Sequence, residues 1–520
     1  MKKLIIAIIP LFLAFSCIDL DVKPRTGQTS NFVLIHAQAY KQYLAKLYAS
    51  FSLTGQDGPA GNRDLSVITD EGFSSYIRVY WKAQELTTDE AVITWTDAGI
   101  QDLHLHNWSS ENQFVKVLYY RIMYTIALTN DFLEQSVPEI MESNGVPSDD
   151  FAEIETFRHE ARFLRALAYW HALDLYRNVP ILTRIIAEPP VQATPQEVFD
   201  FIESELNDIE NLLPAPHENQ YGRADRGALW MLQAKLYLNA GVYTGQPKYT
   251  EVLTAVNKII NTGGYTLNAD YRTLFMADNH TSNEIIFALN ADGQYTQSWG
   301  STTFLVHAPV GGTMVPADYG IDGGWAGLRA TSTFVGKFAD ITGATDWRAN
   351  FYTDGQTLDI ADILTFANGY PIPKYTNIDS KGNPGKHVTF PDTDFPMFRL
   401  ADAYLMYAEA VLRGGTGGDV ATALTYVNML RERAYGDTSG NISAAELTEA
   451  FLLDERAREL HWEGHRRVDL IRYNQYTENG IWPWKGGVAD GITTSKHLNI
   501  FPLPSSEMIA NPNLVQNTGY

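Results

Sequence analysis

Apolar residues recur every three or four positions over long stretches of the chain, which predicts amphipathic α-helices. One stretch begins with Thr194-Pro195-Gln196-Glu197, a capping box with proline at the first helical position. Its apolar face consists of Val198, Ile202, Leu206, Ile209 and Leu213, and Pro214 ends it. A second apolar stripe contains Leu229, Leu232, Leu236 and Ala240, with Gly241 after it. The two stretches therefore predict a helical hairpin.

The same pairing recurs near the C-terminus, on either side of Gly414-Gly415. The first stripe there contains Leu400, Tyr404, Tyr407, Ala408 and Val411, and the second contains Ala423, Val427, Leu430 and Ala434. Ser443-Ala444-Ala445-Glu446 is expected to cap a third helix. Residues 157–176 and 31–51 have a similar length and apolar content. Stacked helix pairs of this length are typical of tetratricopeptide-like solenoids, although the full repeat consensus is absent.

Residues from about 263 to 395 have a different character, because they combine many glycines and aromatic residues with no sustained helical period. We expect this segment to form loops and short strands packed on the helices. The predicted fold class is therefore mainly α, with paired helices at about 31–262 and 396–475 and an irregular, ligand-binding insert at about 263–395. All of residues 17–520 are predicted to form a single domain.

The first residues indicate export. Met1-Lys2-Lys3 precedes an apolar run from Leu4 to Phe15, which is too short to span a bilayer but is typical of a signal peptide, here assigned to residues 1–16. Cys17, the only cysteine of the chain, follows directly and is the predicted lipid attachment site. The alternative is an ordinary buried cysteine. With a single cysteine, the chain forms no internal disulfide.

The charge balance excludes one class of partner. The chain carries 39 basic and 61 acidic residues, a net charge of −22. Such a protein repels phosphate backbones and anionic lipid headgroups, so nucleic acid is not an expected partner. Membrane attachment is expected only through the lipid on Cys17.

Six sequence blocks, in order along the chain, resemble the SusD/RagB family. They are Cys17-Ile-Asp-Leu-Asp-Val-Lys-Pro24, Glu85-Leu-Thr-Thr-Asp-Glu-Ala91, Leu103-His-Leu-His-Asn-Trp108, Phe398-Arg-Leu-Ala-Asp-Ala-Tyr-Leu-Met-Tyr-Ala-Glu-Ala410, a block from Asp454 to Leu470, and the closing block from Phe501 to Tyr520. The resemblance implies a tetratricopeptide-like protein that binds glycans at the cell surface and sits on a SusC-like TonB-dependent transporter. Asp19 and Asp21 resemble the family's signal for surface display.

Aromatic residues are the candidate ligand contacts, because sugar rings present C–H patches that stack on flat aromatic faces. Thr94-Trp95-Thr96-Asp97-Ala98-Gly99 resembles the family's Trp-x-Asp-Gly-Gly loop, with Ala98 in place of the first glycine. The resemblance implies that Trp95 stacks on a sugar and that Asp97 accepts from its hydroxyls. The further candidates are Trp325, Tyr295, Trp299 and Arg78. For the aromatic residues the alternative is packing of a loop onto the scaffold, and for Arg78 it is an ordinary surface arginine.

Catalytic and metal-binding alternatives rest on weaker patterns. His461 and His465 have the spacing of zinc-protease histidines, but no glutamate directly follows the first one. His104 and His106 would face one side of an extended strand, as a metal pair or as core histidines. No Gly-x-Ser-x-Gly motif occurs. The leading hypothesis is therefore a glycan-binding protein that is not an enzyme and needs no cofactor, and the rivals are a surface glycoside hydrolase or lyase and an adhesive helical repeat protein.

Overall fold

The computed structural model describes residues 33–68 and 70–520. The predicted signal peptide, Cys17, Asp19 and Asp21 lie outside these residues. The described part is mostly helical, as predicted. Its longer helices are α1 (Ala37–Ala49), α2 (Tyr76–Glu85), α4 (Gln113–Gln135), α6 (Phe151–Tyr176), α7 (Pro195–Ile209), α8 (Arg226–Leu238), α10 (Tyr249–Thr262), α13 (Leu400–Leu412), α14 (Val420–Tyr435) and α15 (Glu449–Leu460).

Shorter elements lie between and after these helices. The short helices are α3 (Ile100–Leu105), α5 (Pro138–Ser143), α9 (Ala240–Thr244), α11 (Ser301–His307), α12 (Ser332–Val335), α16 (Arg466–Arg472) and α17 (Ser505–Ala510). The strands are β1 (Val92–Ile93), β2 (Ile285–Leu289), β3 (Leu328–Arg329) and β4 (Phe395–Arg399). β1 pairs antiparallel with β3, and β2 pairs antiparallel with β4.

The helices pack side by side in pairs. α4 packs on α6, α6 on α7, α8 on α10, α10 on α13 and α13 on α14, while α1 packs across α6. The capping box at Thr194 is present as predicted: its hydroxyl accepts from the Glu197 amide, and the Glu197 carboxylate accepts from the Thr194 amide. The five predicted apolar positions of α7 and its following turn are buried. Among the described residues, no helix is both long and apolar enough to cross a membrane.

Two predicted helix boundaries are wrong. Ser443-Ala-Ala-Glu446 does not start a helix: the Ser443 amide and hydroxyl both donate to Glu446 within a turn, and α15 begins later, with Thr448 as its N-cap. α8 ends before Gly241, at Leu238, and the chain continues into the short helix α9. At Ser443 the turn satisfies its own backbone locally, and at the end of α8 the Asn239 side-chain amide donates to the Lys235 carbonyl over 3.1 Å.

The segment 263–395 contains loops, 3-10 turns, two short helices and the strands β2 and β3. Its apolar residues join the same hydrophobic cluster as the helices, through residues such as Phe304, Leu328 and Phe334. The β1–β3 pair is only two residues long, yet it ties residues before Trp95 to residues after Trp325. This small ribbon is what brings the predicted site residues together.

Candidate functional site

The Trp95 loop is fixed at both ends by hydrogen bonds. The Thr94 amide donates to the Gly327 carbonyl over 3.1 Å, and the Thr94 hydroxyl donates to the Ala326 carbonyl over 2.7 Å. On the far side, Gln101 donates to the carbonyl of Trp95 over 2.8 Å. Gly99 has a positive φ of +80°, whereas the φ of Ala98 is not positive. Ala98 therefore replaces the expected glycine without backbone strain.

Three of the predicted tryptophans form one aromatic cluster. The ring centroids of Trp95 and Trp325 lie 6.1 Å apart, and those of Trp325 and Trp299 lie 6.4 Å apart. The Trp95 indole N–H donates to the Trp325 carbonyl over 3.1 Å. All three side chains are half-buried, so each packs on one side and leaves part of its surface open. Such an arrangement can offer stacking faces to a sugar ring.

Residues that were not singled out from the sequence support these rings. Phe304 meets Trp95 edge to face at 5.9 Å, His307 stacks on Trp325 at 4.9 Å, and Phe390 lies 5.1 Å from Trp299. The His307 ring nitrogens are held by the carbonyls of Gly323 and Thr389. Phe304 and His307 lie three residues apart on α11, a spacing that places them on one helix face. That spacing is the signal that could have identified them.

Arg78 lies beneath the cluster, with only 8% of the residue exposed. Its guanidinium is 4.7 Å from the Phe304 centroid, 5.5 Å from that of Trp95 and 5.6 Å from that of Trp325. One of its terminal nitrogens donates to the carbonyls of Gly72 and Trp299. Burial lowers the pKa of Arg78 to about 10, and the nearby Asp97 carboxylate opposes this shift. Arg78 is therefore charged at neutral pH and joins two loops under the rings.

Lys82 follows Arg78 by one turn of α2 and is 1% exposed. Its ammonium lies 4.3 Å from the Phe114 centroid and 5.5 Å from that of Phe304. It makes no hydrogen bond with a side chain or carbonyl among residues 33–68 and 70–520. Burial moves the pKa of Lys82 well below its usual value, while Asp97 acts in the opposite direction. Its position four residues after Arg78 could have identified it from the sequence.

The remaining two candidates differ in their surroundings. Asp97 is exposed at the rim of the cluster, close enough to raise the pKa values of both Arg78 and Lys82. Tyr295 is 83% exposed, and its ring contacts no other aromatic ring of the described chain. It lines a separate notch with residues of the loop that precedes α2. The structure thus brings together Trp95, Trp325, Trp299, Arg78 and Asp97, and leaves Tyr295 apart.

The histidine alternatives are explained by packing. Residues 100–105 form α3, so the predicted strand at His104 is wrong. His104 and His106 are buried and bind the carbonyls of Pro483 and Thr87, as core histidines do. His461 lies just after the last residue of α15 and His465 just before α16, so the two do not share a helix face. Among the described residues, no three His, Cys, Asp or Glu side chains are grouped to hold a metal.

The carboxylates considered for catalysis are engaged in buried ion pairs. Asp89 binds Arg466 through both oxygens, at 2.6 and 2.7 Å, and Asp469 binds Arg456 at 2.7 Å. These ion pairs hold the pKa of Asp89 at about 2, against the effect of burial. Glu90 is buried as well. None of these three residues lines the aromatic cluster, so the carboxylates of these sequence blocks connect segments of the fold.

Comparisons with known proteins give a consistent result. A model of the SusD family matches residues 349–520. The starch-binding protein SusD of Bacteroides thetaiotaomicron is 35% identical, over 97% of this chain and 96% of that protein. SusD-like protein P25 of Formosa agariphila is 25% identical, over 69% of this chain and 72% of its own length. The first of these relatives is described as a binding protein, in agreement with the prediction that the chain is not an enzyme.

Solved structures show the same fold. A SusD superfamily protein from Bacteroides vulgatus superposes with a TM-score of 0.72 at 18% identity, covering 94% of this chain and 99% of that one. Surface glycan-binding protein A from Bacteroides thetaiotaomicron, in complex with laminarihexaose, gives a TM-score of 0.70 at 19% identity, covering 93% of this chain and 99% of that one. The predicted fold class is therefore confirmed.

Proposed function

Because the chain belongs to the SusD/RagB family, we propose that it is a glycan-binding protein of the outer membrane, facing outward. It captures an oligosaccharide or polysaccharide and delivers it intact to a SusC-like TonB-dependent transporter. The lipid on Cys17 anchors it. One relative is described as starch-binding, and one protein of the same fold is solved with laminarihexaose, so the ligand we propose is a glycan of this general kind.

One observation carries the glycan-binding part of the proposal. Trp95, Trp325 and Trp299 are half-buried and adjacent, and the exposed carboxylate of Asp97 lies at their rim. Aromatic faces supply the stacking surface for sugar C–H groups, and a planar acceptor beside them pairs with hydroxyls. Such a site can hold a sugar by stacking and hydrogen bonds alone, which suits binding that leaves the ligand unaltered.

The test is retention of the purified protein in native gels that contain amylopectin or laminarin. We expect the wild-type protein to be retarded, and Trp95→Ala combined with Trp325→Ala to weaken retention by about tenfold or more, since each stacking contact contributes roughly 0.5–1.5 kcal/mol. The matched control is Trp347→Ala, which removes a half-buried tryptophan that lies against Gly436. Unchanged retention of the double variant would refute the site.

Incubation of the purified protein with the same polysaccharides in solution tests the hydrolase alternative. A binding protein leaves the polysaccharide intact, so no reducing ends should accumulate in the presence of the wild-type protein. Delivery to a transporter is tested by co-purification with the barrel protein from membranes that express both. In detergent extracts, the Cys17→Ala variant should still co-purify with the barrel protein. That change removes the proposed anchor and leaves the folded surface unaltered.

A further inference from the structure

His307 is the last residue of α11 and lies under the aromatic cluster, with 1% of the residue exposed. Its imidazole stacks on Trp325, with the ring centroids 4.9 Å apart and an interplanar angle of 24°. The Trp325 amide also donates to the His307 carbonyl over 2.9 Å. Trp325 is therefore attached to this one histidine through both its ring and its backbone.

Both nitrogens of the His307 ring face backbone carbonyl oxygens. Nδ1 lies 2.5 Å from the Gly323 oxygen, and Nε2 lies 2.8 Å from the Thr389 oxygen. A carbonyl oxygen only accepts hydrogen bonds, and a neutral imidazole has a single N–H. In the neutral form, one nitrogen lone pair would therefore point at an oxygen lone pair. Only the imidazolium, with a proton on each nitrogen, satisfies both contacts.

A carboxylate and a second histidine are joined to this arrangement through Thr389. The Thr389 hydroxyl donates to the Asp322 carboxylate over 2.6 Å. The amides of Thr389 and Phe390 donate to His387 Nδ1, over 3.1 and 3.2 Å, so this nitrogen carries no proton. Protonation of His387 would break both of these bonds. Acid therefore has opposite effects at the two histidines, because it completes the contacts of His307 and disrupts those of His387.

Two cations of α2 complete the charged surroundings. Arg78 and Lys82 face Phe304, which lies one turn before His307 on α11. Burial lowers the pKa of Arg78 to about 10 and the pKa of Lys82 well below its usual value, and Asp97 opposes both shifts. Lys82 is therefore the other group of this region whose charge can change as the pH rises.

The two carbonyls that His307 contacts belong to loops that carry or support the tryptophans. Gly323 lies two residues before Trp325, and Thr389 directly precedes Phe390, which packs on Trp299 at 5.1 Å. One imidazolium therefore holds the loop of Trp325 and the loop that supports Trp299 at the same time. Loss of one proton leaves one of the two carbonyls without its donor, and that loop loses an attachment to α11.

We infer that His307 is a positioning residue of the glycan site, which acts as a buried imidazolium and aligns Trp325 with Trp299 while both of its ring nitrogens are protonated. Glycan binding therefore weakens as the pH rises and His307 loses a proton. This inference rests on the proposed function and adds control by pH to it. Stacking alone would show no such dependence, because neither a neutral sugar nor an indole ring changes its charge near neutral pH.

NMR of the full chain, with its histidines labelled with nitrogen-15, tests the protonation state without a ligand. The His307 signals are those missing from the spectrum of His307→Gln or of His307→Phe. We expect both ring nitrogens of His307 to be protonated at pH 6, each with the chemical shift of an N–H nitrogen. An unprotonated ring nitrogen at this pH would overturn the inference, whichever glycan the protein binds.

Titration calorimetry with maltohexaose measures the effect on binding. We expect the wild-type affinity to fall about 3- to 10-fold from pH 5.5 to pH 8.5, because a hydrogen bond that positions the rings is lost over the range in which histidines ordinarily change charge. His307→Gln keeps a donor without the charge, and His307→Phe keeps the stacked ring without donors. Both should bind more weakly than wild type at pH 5.5 and show no such fall. The control is His280→Gln, which alters an exposed histidine and should follow the wild type.

The outcomes separate this inference from the proposed function. A wild-type affinity that stays constant or increases with pH would overturn the role of His307 and leave the glycan site standing. A fall that persists unchanged in both His307 variants would also overturn it and would point to Lys82. If the wild-type protein binds neither maltohexaose nor laminarihexaose at either pH, the proposed function fails, and the NMR spectrum still decides the protonation of His307.

Discussion

At the scale of single residues, Arg78 is a buried charged group that contacts the aromatic cluster from beneath. Its guanidinium faces three rings and donates to carbonyls from two separate loops. A buried guanidinium is costly unless it is satisfied, and here its Nε atom has no partner among the described residues. The contact pattern indicates that Arg78 orients the tryptophans. A direct contact with ligand stays a prediction.

Replacing Arg78 by methionine should therefore disturb the site more than the fold. We expect loss of the two carbonyl contacts to lower the unfolding free energy by about 1–3 kcal/mol and to weaken glycan retention by about tenfold. Arg78→Lys should recover little of the affinity, because an ammonium lacks the planar fork that reaches both carbonyls. Tryptophan fluorescence reports the surroundings of the rings. If both variants had the emission spectrum and the glycan retention of the wild-type protein, the role of Arg78 in orienting the tryptophans would be contradicted.

A second residue-scale feature is the buried carboxyl pair of Glu85 and Glu90. Burial raises the pKa of Glu90 to about 7, and burial together with Glu90 raises the pKa of Glu85 well above its usual value. The pair thus keeps protons in the folded state that it loses in the unfolded chain. Its contribution to stability is fully present below pH 4.5 and is lost as the pH rises through about 7.

The variant Glu90→Gln mimics the protonated form and should remove part of this pH dependence. We expect the melting temperature of the variant minus that of the wild-type protein to increase between pH 5 and pH 8. Buried histidines give the opposite slope in both proteins, so only the difference between the two is informative. Scanning calorimetry at several pH values measures it, with the exposed Glu478→Gln as control. A difference that stays constant with pH would exclude this role of the pair.

At the scale of elements, the helices were predictable from the sequence and some of their ends were not. The apolar stripes of α7, α13 and α14 are buried where the periodicity places them, because a stripe has one way to face a core. The Ser443 motif and the Thr194 motif have the same residue pattern, yet only the second starts a helix. They differ at the next position, where Pro195 favours the first helical residue of α7 and Ala444 has no such preference.

This contrast can be measured. Thr194→Ala should lower the unfolding free energy by about 1 kcal/mol, because it removes the oxygen that accepts from the Glu197 amide, and Thr194→Ser should restore most of that loss. Ser443→Ala should cost less, since Ser443 caps a turn and no helix. Urea denaturation followed by circular dichroism gives these values. Equal losses for Thr194→Ala and Ser443→Ala would show that the two motifs act alike.

At the scale of the whole molecule, the acidic and basic residues of the sequence blocks form buried networks. Arg399 binds Glu459 and Glu463, each at 2.6 Å, and Glu284 at 3.0 Å, and all four are buried. These pairs join β4, α15 and the residues before β2. The sequence identified such blocks only through family resemblance, because partners 60, 64 and 115 positions apart leave no local pattern.

The same limit applies to the site. Trp95 became a stacking candidate through the family-like loop, and Trp325 and Trp299 through their place among glycines. Their contact with one another could not be predicted, since it depends on the two-residue pairing of β1 with β3. Phe304, His307 and Lys82 were missed although their spacing along α11 and α2 offered a local signal. Tyr295 lies in the same glycine-rich segment as Trp299 and Trp325, yet it lines a notch apart from the tryptophan cluster. The predicted domain bounds and ligand contacts stay predictions.

The β1–β3 ribbon joins strands whose partners are some 230 positions apart, as in the hydrogen bond between Trp95 and Trp325. Trp95 and Trp325 become neighbours only when the chain segments that carry β1 and β3 come together. Binding at the proposed tryptophan site therefore requires completed tertiary structure, and a chain arrested before the two strands join would lack that site.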